Sequence, residues 1–158
     1  MKIRKMTFRR VYLGISITEM ESMSGIDRYR IKDIEDDMFF SEIDKKTISK
    51  LEDLYGMRWD EMTTEISIPR YAVFDLPSVI ENRRIDHGKN MKELVAHYHS
   101  ICPPEIIKPA LITVWSWVYG RQSPSVKHLP FVSLMLGIPL ETVVFNHIYQ
   151  KAKKLKWY

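Results

Sequence analysis

The chain has 158 residues, 45% of them hydrophobic and 28% charged, a composition that excludes a disordered or fibrous protein. No stretch approaches the roughly 20 apolar residues needed to cross a bilayer, and the N-terminus MKIRKMTFRR lacks the apolar core of a signal peptide, so a cytoplasmic protein is expected. Cys102 is the single cysteine, which excludes an intramolecular disulfide and a cysteine-based zinc cage. The formal net charge is +4 but unevenly spread: residues 1–66 sum to −2 and residues 67–158 to +6, so the second half is the one suited to attract phosphates.

The first half reads as short helices with clear punctuation. Met6, Val11 and Leu13 ahead of Gly14 suggest a first helix. SITE at 16–19 is a capping box, in which Ser16 caps the Glu19 N–H and the Glu19 carboxylate returns to Ser16. That second helix should stop at Gly25, where a positive φ is easy, and Asp27 should cap a third. In DRYRIKDIED, Ile31 and Ile34 share one face and leave Arg28, Tyr29, Lys32 and Asp33 outward. After a loop MFFSEI, Asp44 caps a helix with Ile48, Leu51, Leu54 and Tyr55 on one side, ended by Gly56, and Trp59 and Met62 close the small core. From Thr63 to Pro77 the alternating, proline-containing EISIPRYAVF predicts an extended linker or short edge strand, followed by a connecting helix from Pro77 to about His87.

The second half repeats the plan. Asn90 can cap a helix lined by Met91, Leu94, Val95 and Tyr98; Pro103 and Pro104 suggest another start; TVWSWVYG places Val114 and Trp117 inward at the spacing of Ile31 and Ile34. Ser125 is expected to cap a helix with Leu129, Val132 and Leu136, ended by Gly137. The run LMLGIPLETV matches DLYGMRWDEM position for position around the glycine.

These motifs resemble one family. SITEMESMSGIDRYRIKDIED, continued by DKKTISKLEDLYGMRWDEM, is similar to the Cro and lambda-repressor (XRE-type) helix-turn-helix family over residues 9–62, and residues 91–144 resemble it again. The resemblance implies an all-α chain of two tandem helix-turn-helix bundles: a first domain at 1–66, a linker and connecting helix at 67–88, and a second domain at 89–158 with a basic C-terminal helix. It implies double-stranded DNA as the partner and a transcriptional regulator, a repressor of bacterial, phage or mobile-element type, as the function. Arg28, Tyr29, Lys32 and Asp33, with Thr113 and Ser116 in the second unit, fall where the family meets base edges. Ser16, Arg30, Arg121, Gln122, Ser123, Ser125, Lys127, Lys153 and Lys154 are placed to hold phosphates. The chain departs from the pattern at Ile17, where glutamine is common, and at Glu21, where a small residue is usual. Asp36 and Asp37 after the recognition helix would repel phosphate, and the turn in the second unit reads as shorter than the family's.

The competing reading is an interaction module, antitoxin-like or a regulatory subunit, whose aromatics Trp115, Trp157 and Tyr158 bind a protein partner or a second copy. The lysine-rich end HIYQKAKKLKWY serves either reading, tracking phosphates or forming an amphipathic dimerisation helix. No enzyme, cofactor or metal is expected: His97 and His99 point apart on a helix, no glycine-rich phosphate loop is present, Cys102 has no sequence-local base, and the nine methionines suit core filling.

Overall fold

The computed structural model describes residues 1–36 and 43–155. Among these the chain is mostly α-helical, with one short antiparallel ribbon. It divides into two compact units, Met1–Ile68 and Pro69–Tyr158. Residues 37–42, with Asp37 and most of the MFFSEI segment expected to be a loop, and Lys156, Trp157 and Tyr158 lie outside the described residues.

The first unit opens on β1 (Lys2–Arg4), which pairs antiparallel with β2 (Glu65–Ser67), Ile3 opposite Ile66. A three-residue strand cannot display an alternating pattern, so β1 has no sequence signature, whereas β2 falls within the expected extended segment. Between the strands lie α1 (Lys5–Tyr12), α2 (Ile17–Ser24), α3 (Arg28–Asp36), α4 (Lys45–Tyr55) and α5 (Trp59–Met62). The capping box of α2 forms as its sequence dictates: the Glu19 N–H donates to Ser16 Oγ at 3.1 Å and the Ser16 N–H donates to the Glu19 carboxylate at 2.9 Å. Gly25 ends α2 at φ +69°, in the left-handed region. Asp27 Oδ1 then accepts from the Tyr29 and Arg30 N–H groups at the start of α3. The core is Met6, Met20, Ile31, Ile34, Leu51, Tyr55 and Met62, with Ile15, Ile26, Leu54 and Trp59 packed around it; each such side chain gains about 1.5–3 kcal/mol on leaving water. Leu13, expected in the apolar series of α1, is exposed, because it follows the last turn of the helix as its C-cap.

The second unit begins with a 3-10 turn (Arg70–Ala72), then α6 (Leu76–Asp86), α7 (Met91–Ile101), α8 (Leu111–Val118), a 3-10 turn (Val126–His128), α9 (Leu129–Leu136) and α10 (Leu140–Leu155). The helix expected only to connect is part of this core: α6 packs on α8 and α9, with Ile80 fully buried. Residues 102–110 form no helix, contrary to the start suggested by Pro103 and Pro104; prolines at 103, 104 and 109 deny the backbone donors a helix needs there. The connection between α7 and α8 is therefore longer, not shorter, than the 25–27 turn of the first unit. Ser125 stands at the start of the 3-10 turn and not of an α-helix, and its side chain makes no cap bond. Its Oγ faces His128 Nδ1 at 3.1 Å, and the α-helix starts only at Leu129, next to Pro130.

The two units repeat one bonding plan. In α1, Arg9 Nε donates to the carbonyl of Tyr55 near the end of α4; in α6, Arg83 Nε donates to that of Met135 near the end of α9. The next arginine in each, Arg10 or Arg84, donates to the carbonyl five residues on, Ile15 or Lys89. A left-handed glycine (Gly14, Gly88) precedes each, and a capping box (Ser16 with Glu19, Asn90 with Glu93) follows. Gly56 and Gly137 end α4 and α9 in the same left-handed conformation, and six residues later Met62 and Val143 are both buried.

Gly25 gives a direct test of the turn. A Cβ there meets nothing within 4 Å, so Gly25→Ala pays only for the positive φ, about 1–2 kcal/mol, and Gly25→Asn pays less. Urea denaturation of the two variants should rank them in that order; an alanine variant as stable as the parent would mean the turn does not use this conformation.

Candidate functional site

Helix α3 is held from its inner side by polar as well as apolar groups. Ile31 and Ile34 are buried, and so is Glu35. The Arg10 guanidinium meets the Glu35 carboxylate in a two-pronged pair, Nε to Oε1 at 2.6 Å and Nη2 to Oε2 at 2.8 Å, with both side chains under a tenth exposed. Tyr55 Oη donates to Glu35 Oε1 at 2.9 Å, and Arg4 Nη1 donates to the Ile34 carbonyl at 2.8 Å. Burial works against the Arg10 charge, but the hydrogen bond and charge of Glu35 outweigh it and raise the guanidinium pKa. Burial, followed by the Glu35 charge, pushes the Tyr55 phenol well above its ordinary value. The sequence reading missed this network. Its signal is the spacing: Glu35 stands four residues after Ile31 and so shares the inward face, where a carboxylate requires a buried partner.

On the outer side of α3 stand Arg28, Tyr29 and Lys32, all exposed, and Asp33, half-buried. The Arg28 guanidinium lies over the Tyr29 ring at 5.1 Å from its centre. Glu21, whose size seemed awkward for two close helices, does not wedge between them: its carboxylate reaches across the turn and accepts the Arg28 N–H at 3.1 Å. With Asp27 on Tyr29 and Arg30, carboxylates therefore occupy the N-terminal N–H groups of α3. Ser16 is similarly engaged, its hydroxyl both accepting from the Glu19 N–H and donating to the Glu19 carboxylate. Asp36 is exposed at the end of α3, its pKa raised by desolvation against the opposing charge of Lys32.

In the second unit the expected residues fall into separate groups. Ser116 donates to the Thr113 carbonyl at 2.6 Å, and both are half-buried on α8. Trp115 stacks on Tyr119, ring centres 5.3 Å apart and 11° from parallel, and the Arg121 guanidinium sits 5.6 Å from the Tyr119 ring centre. Gln122, Ser123 and Lys154 come together beside a cavity, with Lys154 Nζ donating to Ser123 Oγ at 3.0 Å. Ser125, Lys127 and Lys153 are exposed. His97 packs beside His87, ring centres 5.9 Å apart, while His99 Nε2 meets the Pro109 carbonyl at 2.8 Å, so the two histidines face different neighbours. Cys102 is a buried thiol. Among the described residues no helix is long and apolar enough to cross a membrane.

No family model, curated protein or solved structure matches the chain.

Removing one partner of the buried pair should be costly. Glu35→Ala leaves the Arg10 charge uncompensated and should destabilise by about 3–5 kcal/mol, whereas the double replacement Arg10→Met with Glu35→Leu should recover most of that loss; equal losses from single and double variants in denaturation would show that the pair is not coupled. Tyr55 sets an alkaline limit. Because its folded pKa lies above the unfolded value of 10.0, its contribution is complete below that pH and declines as pH rises further. Tyr55→Phe should flatten the fall in melting temperature above about pH 10 relative to the parent, and identical pH profiles would contradict the buried phenol.

Proposed function

We propose that the chain is a sequence-specific double-stranded DNA-binding transcriptional regulator, built as two tandem helix-turn-helix units of the Cro and lambda-repressor kind and acting as a repressor without catalytic activity. The observation that carries this reading is the division of α3. Its inner side is fixed by Ile31, Ile34 and the Glu35–Arg10 pair, while Arg28, Tyr29 and Lys32 project from the outer side on a helix joined to α2 by a short glycine turn. A short rigid helix with an outward arginine and lysine is what major-groove reading needs: Arg pairs bidentately with guanine, Lys reaches guanine or phosphate, and Tyr contacts a thymine methyl. Asp33 accepts from cytosine in the same scheme.

The carboxylates around α3 give it little general attraction for DNA, so sequence-independent affinity falls to the second half of the chain, with Arg121, Lys127, Lys153 and Lys154 as its contributors. Helices α3 and α8 would then have unequal shares in recognition. Thr113 and Ser116 offer base contacts, but the segment 109–120 carries no charged residue.

That segment also favours the second reading, a protein-interaction module. Ile112 is 76% and Tyr119 63% exposed beside Trp115, an apolar surface of the sort that protein partners cover. Ionic strength separates the two. Repressor-type binding to a duplex selected from a random pool should weaken steeply with salt. Arg28→Ala should cost about 1–3 kcal/mol in affinity and relax preference at one base pair. Failure of any sequence to enrich, with salt-insensitive association to protein instead, would replace the regulator by the interaction module.

A further inference from the structure

The second unit contains a cavity whose edge shares Lys154 with the DNA reading but whose interior that reading does not use. Its volume is about 160 Å³, close to the roughly 150 Å³ apolar cavity that accepts a benzene-sized molecule. It opens to solvent on one side and is arranged in two zones. Phe74, Leu76 and Pro77, half-buried, supply its apolar surface, in front of the buried Trp117, Leu129, Val132 and Val143. The accessible edge is polar: Gln122 and Lys154 are exposed and Ser123 and Gln150 half-buried.

Hydrogen bonds brace that edge. Gln150 Nε2 and Asn146 Nδ2 both donate to the Phe74 carbonyl, at 3.0 and 2.8 Å, tying α10 to the segment before α6. Lys154 donates to Ser123 Oγ at 3.0 Å, which keeps its ammonium at the edge of the cavity. Asp75 also lines the space, but its carboxylate caps α6 through the Ser78 N–H at 3.1 Å. The Asp75 carboxylate is thus engaged at the start of α6 and the Lys154 ammonium with Ser123, so that both charges lie at the edge.

We propose that this cavity is a binding site for a small organic acid with a compact apolar body about the size of one six-membered ring. The ring lies against Phe74, Leu76 and Pro77 with Trp117 behind them, and the carboxylate meets Lys154 with help from Gln122 and Ser123. Such a ligand buries apolar area and forms a charge-assisted hydrogen bond at once, which neither a hydrocarbon nor a small inorganic anion can do here. The site is separate from α3, and its occupancy does not require DNA.

The test is a nuclear magnetic resonance titration of the full chain with benzoate, following the Trp117 indole N–H, with benzamide as the neutral counterpart of equal shape. Benzoate should give a saturable one-to-one shift in the millimolar range or below, and benzamide should bind at least about tenfold more weakly. Lys154→Met, a surface change, should weaken benzoate by a similar factor, and Val132→Phe should abolish binding by filling the cavity. Should Val132→Phe fail to fold, the lysine variant and the benzamide comparison decide the matter alone. No saturable shift, equal affinity for benzamide, or full affinity in Lys154→Met would each overturn the proposal.

Discussion

The first unit depends on the buried Arg10–Glu35 pair. Taking two charges out of water costs several kcal/mol per ion, and the cost is offset here only because the pair is two-pronged and further bonded: Tyr55 serves the carboxylate and the Ile15 carbonyl takes the remaining arm of Arg10. That dependence gives the pair its structural effect. Rotating α3 about its axis, or sliding it by a residue, would strand both charges in an apolar core. A packing of isoleucines alone would tolerate such changes more readily, since volume-conserving apolar rearrangements are inexpensive. The outward direction of Arg28, Tyr29 and Lys32 is thus set by groups on the opposite side of the same helix.

The second unit uses the same frame for a different surface. Its paired arginines, its glycine turn and its capping box follow those of the first unit in outline. Where Glu35 follows Ile34 in α3, however, Val118 follows Trp117 in α8, so Arg84 has no carboxylate on that helix and pairs instead with Glu81 on its own. That pair is partly exposed, with side chains 30% and 41% accessible, and contributes little by comparison. Helix α8 is placed by Val114 and Trp117 and by a long preceding connection, and it presents Ile112, Trp115 and Tyr119 instead of cations. The first unit thereby presents a charged face on α3 and the second an uncharged aromatic one on α8.

Much of this was legible in the sequence wherever a feature is local. Capping boxes at Ser16 and Asn90, the stops at Gly25, Gly56 and Gly137, and the inward pairs Ile31 with Ile34 and Val114 with Trp117 depend on neighbours within a turn or two. The exposure of Arg28, Tyr29 and Lys32 follows from the same periodicity. Features that join distant segments were not legible: β1 needs β2 more than sixty residues later, Glu35 needs Arg10 from another helix, and α6 needs α8 and α9 to become core. The start expected at Pro103 failed because proline marks a helix beginning only when good helix formers follow, and here a further proline arrives at 109. The cavity beside Trp117 has no linear signature, since its walls come from five separate segments of the second unit.

In the function proposed above, the outer side of α3 meets base edges. This contact is tested most directly by mapping the chemical shifts of the isotope-labelled chain on addition of a duplex selected from a random pool. The largest perturbations are then expected at the side chains of Arg28, Tyr29 and Lys32, with Ile31, Ile34 and the Arg10–Glu35 pair nearly unmoved. Perturbations confined to α8 and its aromatics, with α3 silent, would contradict it.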